Sequence, residues 1–173
     1  MLDFFKKEYE NACNSPSDIN EHLPVLFDYA SKVNHVTELG VRWGTSTRAF
    51  LYAAIQNNNI LRSYDIILND NVKTLFNKAK SSNIDVVYTQ ANTLNLTIEE
   101  TDLLFIDTEH TYAQLSQELV LHGNKASKYI ICHDTVTFPD LDKAIFEFLL
   151  NNKHWSLLTK HLNNNGLTIL QRV

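Results

Sequence analysis

A chain of 173 residues with 44% hydrophobic and 20% charged residues has the make-up of one ordinary globular domain, 1–173, long enough to bury a core without staples. Its two distant cysteines, Cys13 and Cys132, exclude a disulfide framework and a zinc ribbon and fit a reducing, cytoplasmic setting. A net charge of −5 with scattered Lys and Arg argues against nucleic acid as the partner, and no run is apolar enough for a signal peptide or a membrane span. In chain order, two helices come first, near Leu2–Asn11 and Asp18–Ser31, within about residues 1–34. Short β-rich runs then alternate with helical stretches. The strands fall at Val36–Leu39, Ile60–Ile66, Asp85–Thr89, Leu103–Ile106 and Tyr129–Cys132, and the helices at Thr45–Gln56, Asn71–Lys80, Tyr112–His122 and Leu141–Leu150. Trp155–Thr159 and Leu167–Gln171 close the chain as a hairpin with no helix between them.

This alternation predicts right-handed crossovers and a Rossmann-like three-layer α/β/α sandwich around a mostly parallel seven-stranded sheet, the C-terminal hairpin being its one antiparallel feature. Ligands of such sheets sit beyond the carboxyl ends of the strands, so the residues just after strands carry the information.

Two of only four glycines, Gly40 and Gly44, flank the loop after the first strand, where backbone must bend tightly and approach a ligand. Thr45 and Ser46 suit the N-cap of the next helix. Alone, this is also what a generic strand–helix turn looks like. Asp65, about twenty residues on, ends the second strand, where a carboxylate can accept the hydroxyls of a ribose. The dinucleotide pattern GxGxxG is absent, because Arg42 stands where its second glycine would be, so a nucleoside without a pyrophosphate fits better than NAD. Glu38 would repel phosphate but suits a ligand carrying an ammonium group.

Further along, Asp107 ends the apolar strand Leu103–Ile106, His110 follows in the loop, and His133 and Asp134 end the next strand. Burying such a carboxylate without partners is costly. If the strands are neighbours, all four residues converge at one sheet edge. A capping role for Asp107 and a packing role for His133 remain open for each residue singly. The other histidines, His22, His35, His122, His154 and His161, show no clustered spacing and read as surface or packing residues. Cys132 reads as core, and Trp43 as either a cofactor cover or packing.

Glu38-x-Gly40-x-x-x-Gly44-x-Ser46 resembles the first motif of class I S-adenosylmethionine (SAM)-dependent methyltransferases. The likeness is greatest to the branch holding cephalosporin-hydroxylase-like proteins and the metal-dependent sugar O-methyltransferases of macrolide biosynthesis. Leu103–Tyr112 is similar to that branch's LLFID-x-x-H-x-Y signature, Tyr129–Asp134 to its apolar strand ending in HD, and Gly166–Leu170 to its closing strand. The resemblance implies SAM as cofactor, held by Glu38, Gly40, Gly44, Ser46, Asp65, Asn92 and Asp107, with Asp65 on the ribose and Asn92 at the adenine. It implies His110 as general base beside Asp107, and a metal held by Asp107, His133 and Asp134. His133 stands where the metal-dependent enzymes carry glutamate. That change makes the donor set less purely Mg²⁺-like and admits Mn²⁺, Fe²⁺ or no stable metal. Relatives often have Gly-Gly where this chain reads Ala126-Ser127-Lys128, so that loop is expected to be stiffer.

The function expected is therefore O-methylation of a hydroxyl on a sugar or other small metabolite. The alternative is a SAM- or nucleoside-binding module without methyl transfer. A nucleobase N-methyltransferase would need an Asn/Asp-Pro-Pro-aromatic motif after the fourth strand, and Asp107-Thr-Glu-His is not that. The N-terminal helices are expected to serve as a substrate lid or as the interface of a homodimer or higher homo-oligomer.

Overall fold

The computed structural model describes residues Met1–Val173. Seven strands, β1 (His35–Leu39), β2 (Ile60–Asp65), β3 (Val86–Gln90), β4 (Thr101–Ile106), β5 (Ala126–His133), β6 (Trp155–His161) and β7 (Leu167–Arg172), form one sheet in the order β3-β2-β1-β4-β5-β7-β6. The first five are parallel, and β7 runs antiparallel to both of its neighbours. The closing hairpin is thus seated by its second strand: β7 inserts beside β5 and carries β6 to the edge.

Six helices flank the sheet: α1 (Leu2–Asn14), α2 (Leu23–Ala30), α3 (Thr45–Asn57), α4 (Asp70–Lys80), α5 (Tyr112–His122) and α6 (Asp140–Asn151). Because successive strand residues face opposite sides, each central strand feeds two cores. Val36, Leu103, Phe105, Ile131 and Ile169 pack with α1–α4 residues such as Phe5, Leu26, Phe50 and Phe76. Leu39, Leu104, Ile106, Ile130 and Leu170 pack with Leu115, Leu119, Ile145 and Phe148 of α5 and α6. The continuous apolar strands are what a sheet buried on both faces requires.

The N-terminal helices belong to the first layer, where Tyr9, Phe27 and Tyr52 stack with ring centroids 4.8–5.3 Å apart. The single helix expected over Asp18–Ser31 is instead a 3₁₀ turn, Asn20–His22, followed by α2. Pro24 in the first turn of α2 explains the break, since proline lacks the N–H that a continuous helix would use. Strand β5 also starts earlier than expected. Ser127 and Lys128 lie within it, where the Ser127 hydroxyl donates to Asp102 at 2.7 Å. No helix is long and apolar enough to cross a membrane.

Candidate active site

In this strand order β1 lies between β2 and β4, so the connections leaving β1 and β4 diverge and open a crevice at their carboxyl ends. A cavity of about 590 Å³ fills it. Each of the five parallel strands contributes from its end or the loop that follows: Gly40, Asp65, Asn92, Asp107 and Asp134 all line the cavity. A smaller cavity of about 300 Å³ lies between the glycine loop and Ser17–Ile19, with Asp107 on the wall of both.

The glycine loop is fixed by its surroundings. Gly40 has φ +88°, and a Cβ there would come within 1.9 Å of the Asp107 carbonyl oxygen; only glycine lets the ends of β1 and β4 close together. Gly44 (φ +74°) abuts Val72 of α4, which a Cβ would meet at 2.7 Å. It serves helix packing and does not line the larger cavity. Asp65 clamps the loop, its Oδ2 accepting from Val41 N and Arg42 N at 2.8 Å each and its Oδ1 from Ile67 N at 2.9 Å. One acceptor direction on Oδ1 remains for a ligand, fewer than the two that both hydroxyls of a ribose would use.

Two expected cofactor contacts are spent elsewhere. Glu38 is fully buried and lines neither cavity. Its oxygens accept from Ser46 (2.7 Å), Ser63 (2.6 Å) and Thr47 (3.0 Å). Burial pushes its pKa up to about 7, only partly offset by those hydroxyls. The Ser46 hydroxyl is committed to Glu38 by the same bond. Asn92 does line the cavity, but its Oδ1 caps the 3₁₀ turn Thr93–Asn95 by accepting from Leu94 N at 2.9 Å.

At the other end of the crevice, Asp107, His110, His133 and Asp134 converge as expected. His110 Nε2 lies 2.7 Å from Asp134 Oδ2 and 3.5 Å from Asp107 Oδ1. Hydrogen bonds to Asp107 and Asp134 push the His110 pKa up to about 9 against the opposing effect of burial. His133 Nδ1 is 3.3 Å from Asp107 Oδ1 and 3.5 Å from Asp134 Oδ2. Burial opposes a charged His133 ring, yet its bonds to both carboxylates outweigh that and raise its pKa to about 10. Both aspartates respond in the opposite sense. Burial would raise them, but the two imidazoles hold Asp107 below, and Asp134 well below, the usual carboxylate range. Asp134 also has φ +61°, a left-handed conformation that the β5 terminus imposes on a non-glycine residue.

The donor atoms of Asp107, His110 and Asp134 all lie within 4.8 Å of one another. His133 is not part of that group, so the metal role expected of it finds no support in this geometry. Its Nε2 sits 3.1 Å from Asp18 O and 3.2 Å from Asn164 O, so that nitrogen donates. With Nδ1 facing Asp107, the ring has no lone pair left to give. Asp134 Oδ1, by contrast, is buried without a partner.

The same architecture occurs in proteins of known structure. No family model matches the chain, and no curated protein matches it in sequence. Among solved structures, the SAH-bound methyltransferase PaMTH1 of Podospora anserina is 13% identical with a TM-score of 0.66, covering 98% of this chain and 87% of its own. A methyltransferase from Geobacter sulfurreducens is 15% identical with a TM-score of 0.64, covering 88% and 78%. The segment 961–1257 of StiE O-MT is 14% identical with a TM-score of 0.66, covering 88% and 74%. The chain has the methyltransferase fold.

Sequence spacing missed one group beside the site. His22 is 1% exposed, its ring 5.8 Å from His133 and 5.9 Å from His161. Its Nε2 lies 3.0 Å from Asn163 O and 3.1 Å from Asn164 O. Asn164 Nδ2 donates to Ser17 O at 2.8 Å, and Asn163 Nδ2 to Glu21. The segment Ser15–His22 is therefore strapped to the β6–β7 turn, which places Asp18 on the cavity wall. Trp43, 67% exposed, faces the smaller cavity and packs no core.

Proposed function

We propose that this chain is a SAM-dependent methyltransferase acting on a hydroxyl oxygen of a sugar or other small metabolite. The observation that carries this reading is the run of one crevice from the Asp65-clamped glycine loop to the Asp107–His110–Asp134 group. Nucleoside recognition and acid–base chemistry therefore share one cavity. The fold common to this chain and SAH-bound PaMTH1, SAH being the demethylated product of SAM, supports it.

When bound, SAM supplies an electrophilic methyl group on a sulfonium. The chain's own residues hold the ribose at Asp65 and bring the acceptor hydroxyl to the Asp107–Asp134 end. His110 takes the hydroxyl proton as the O–CH₃ bond forms and the S–CH₃ bond breaks. Asp134 orients the imidazole, as a carboxylate does in an Asp–His dyad. His133, which donates at both nitrogens, keeps the two aspartates ionised. A divalent cation, Mg²⁺ or Mn²⁺, fits the same end of the crevice, because two carboxylates and the unpartnered Asp134 Oδ1 offer hard oxygen donors. Held by Asp107 and Asp134, it would lower the pKa of a bound hydroxyl. The reading takes 1–173 as one catalytic domain with a small-molecule acceptor. Its cytoplasmic setting is supported by two cysteines that are both free, and self-association into a homo-oligomer belongs to the same reading.

Calorimetry with SAM, in the presence and absence of Mg²⁺ or Mn²⁺, tests it first. Absence of SAM binding to the wild-type chain sinks the proposal. With an accepted hydroxyl substrate, Asp107→Ala and His110→Ala should keep SAM affinity within a few-fold and lose methyl transfer. If SAM binds but no hydroxyl in a broad panel is methylated, the chain is a binding module instead.

A further inference from the structure

Glu118 of α5 is completely buried, and the chemistry proposed above does not use it. Its carboxylate gathers three residues of the cavity wall. Thr93 Oγ1 donates to Oε1 at 2.6 Å, Gln114 Nε2 to Oε1 at 2.9 Å, and Thr108 Oγ1 to Oε2 at 2.7 Å. Gln114 Nε2 also donates to Thr93 Oγ1 at 3.2 Å. This closed set leaves no ambiguity in the amide. Both N–H groups of Gln114 are spent on acceptors, and turning the amide over would set Oε1 against the carboxylate. What remains of Gln114 is a single unsatisfied acceptor, Oε1, on a side chain that lines the crevice.

The position of that acceptor matters because of what stands around it. Ile66, Ala91, Asn92 and Gln114, on the loops after β2 and β3 and at the start of α5, line the crevice on the side of Asp65 away from the Asp107 group, the space open to a base whose ribose is held by Asp65. Asn92, the residue expected there, has its carbonyl oxygen engaged in capping. Its amide N–H₂ is the free part, a donor suited to a ring nitrogen. A base carrying an exocyclic amino group needs an acceptor beside it, and Gln114 Oε1 is the one left open. We propose that Gln114 is the specificity-determining residue for a 6-amino purine, and that Glu118 is a positioning residue acting through it by fixing the amide orientation.

This inference rests on the SAM reading and deepens it. A 6-oxo purine presents an oxygen to Gln114 Oε1 and leaves both acceptors without a proton between them, a mismatch that costs roughly tenfold or more in affinity. The probes are SAH and its inosine counterpart, which carries a 6-oxo group in place of the 6-amino group and a proton on N1, titrated calorimetrically into the wild-type chain, Gln114→Leu and Glu118→Gln. The wild-type chain should prefer SAH by at least about tenfold. Gln114→Leu should weaken SAH and compress the preference several-fold, Asn92 still opposing the N1 proton of the inosine form. Glu118→Gln, which adds a competing amide at the same place, should also compress the preference while leaving the affinity for the inosine form nearly unchanged; a merely structural Glu118 would weaken both ligands alike. Gln114 is half-buried, so its variant keeps the test open even if Glu118→Gln fails to fold. Tight SAH binding without preference, or full preference retained in Gln114→Leu, overturns the assignment and leaves the cofactor reading standing. Failure of the wild-type chain to bind either probe overturns both.

Discussion

Glu38 and Asp107 are carboxyl groups on strands that pair side by side, β1 and β4, and their surroundings drive them in opposite directions. Glu38 meets only neutral hydroxyls, and burial lifts it to about 7. Asp107, one layer further toward the crevice, is also opposed by burial, but two imidazoles hold it ionised. The difference separates the two halves of the crevice. The nucleoside half is built from backbone amides, glycines and neutral hydroxyl and amide side chains gathered on single carboxyl groups, Asp65, Glu38 and Glu118. The chemical half is built from ion pairs. A network of neutral donors gathered on single carboxyl groups organises a binding surface, whereas a set of coupled charges can give up or take a proton during turnover.

The sharpest way to break this division is to remove one charge. Asp134→Asn leaves both imidazoles short of a carboxylate, and turnover should fall by about a thousandfold. SAM affinity should change by no more than a few-fold, as calorimetry would record. Equal losses in both would mean that the halves are not separable.

A smaller effect, though a more diagnostic one, concerns pH. With a pKa of about 9 in the free protein, His110 is mostly protonated at neutral pH and unable to accept a proton. The rate of methyl transfer should therefore climb about tenfold per unit of pH and level off near that value. A cation at Asp107 and Asp134 adds positive charge beside the ring, so Mn²⁺ or Mg²⁺ should move the midpoint downward. An unchanged midpoint in saturating metal removes the cation from the mechanism. A profile already flat at pH 7 removes His110 as the base.

The contrast also explains what a reader of the bare sequence can and cannot see. Asp107, His110 and Asp134 are legible because they end apolar strands, and strand order in a parallel sheet brings such ends together. Glu38 also lies near the end of a buried strand, one residue before the last of β1, yet its side chain turns into the core and lines neither cavity. Both faces of β1 are buried, so alternation does not say which way its side chain turns, and the hydroxyls that absorb it come from α3 and β2. His133 looked like a ligand because its partners, Asp18 O and Asn164 O, are 115 and 31 residues away. His22 escaped notice for the same reason, its contacts lying 141 and 142 residues off. Nothing local marks Glu118 and Gln114, four apart on a helix, because the two threonines that complete their network come from other loops. The strand assignments held because period and turn chemistry are local, whereas hydrogen-bond partnership is not.

Glu38 gives a prediction that tests the neutral half by stability alone. A carboxyl whose folded pKa lies above its unfolded value is most favourable when protonated. Between pH 4.5, the ordinary value, and about 7, the folded state holds the extra proton, so stability should fall as pH rises through that window and stay low above it. The span corresponds to roughly 3 kcal/mol. Glu38→Gln removes the titration, and the difference in unfolding free energy between wild type and variant should slope across pH 5–7 and be flat above 8. His133 acts in a separate window. Its raised pKa of about 10 gives stability that is complete below about 6.5 and is lost as pH rises through 10, so it cancels in the difference. A flat difference throughout would mean that Glu38 stays ionised behind the loop.

The smallest effect concerns the link between the strap and the glycine loop. Arg42 Nη1 reaches Asp18 Oδ2 at 2.9 Å, with side chains 69% and 42% exposed. An ion pair this open contributes at most about 1 kcal/mol, so Arg42→Ala should barely move the unfolding midpoint. The strap is held by other bonds, those of His22, Asn163 and Asn164, and Arg42 is also one of two residues outside the Asn and Gly positions with positive φ, at 50°. Replacing it by glycine, which adopts that conformation without strain, should stabilise the chain by about 0.5–1 kcal/mol even as the ion pair is lost. If instead Arg42→Gly destabilises more than Arg42→Ala, the strap depends on the ion pair. The glycine loop would then be held by charge, as the chemical half is, and the division between the two halves would fail at this point.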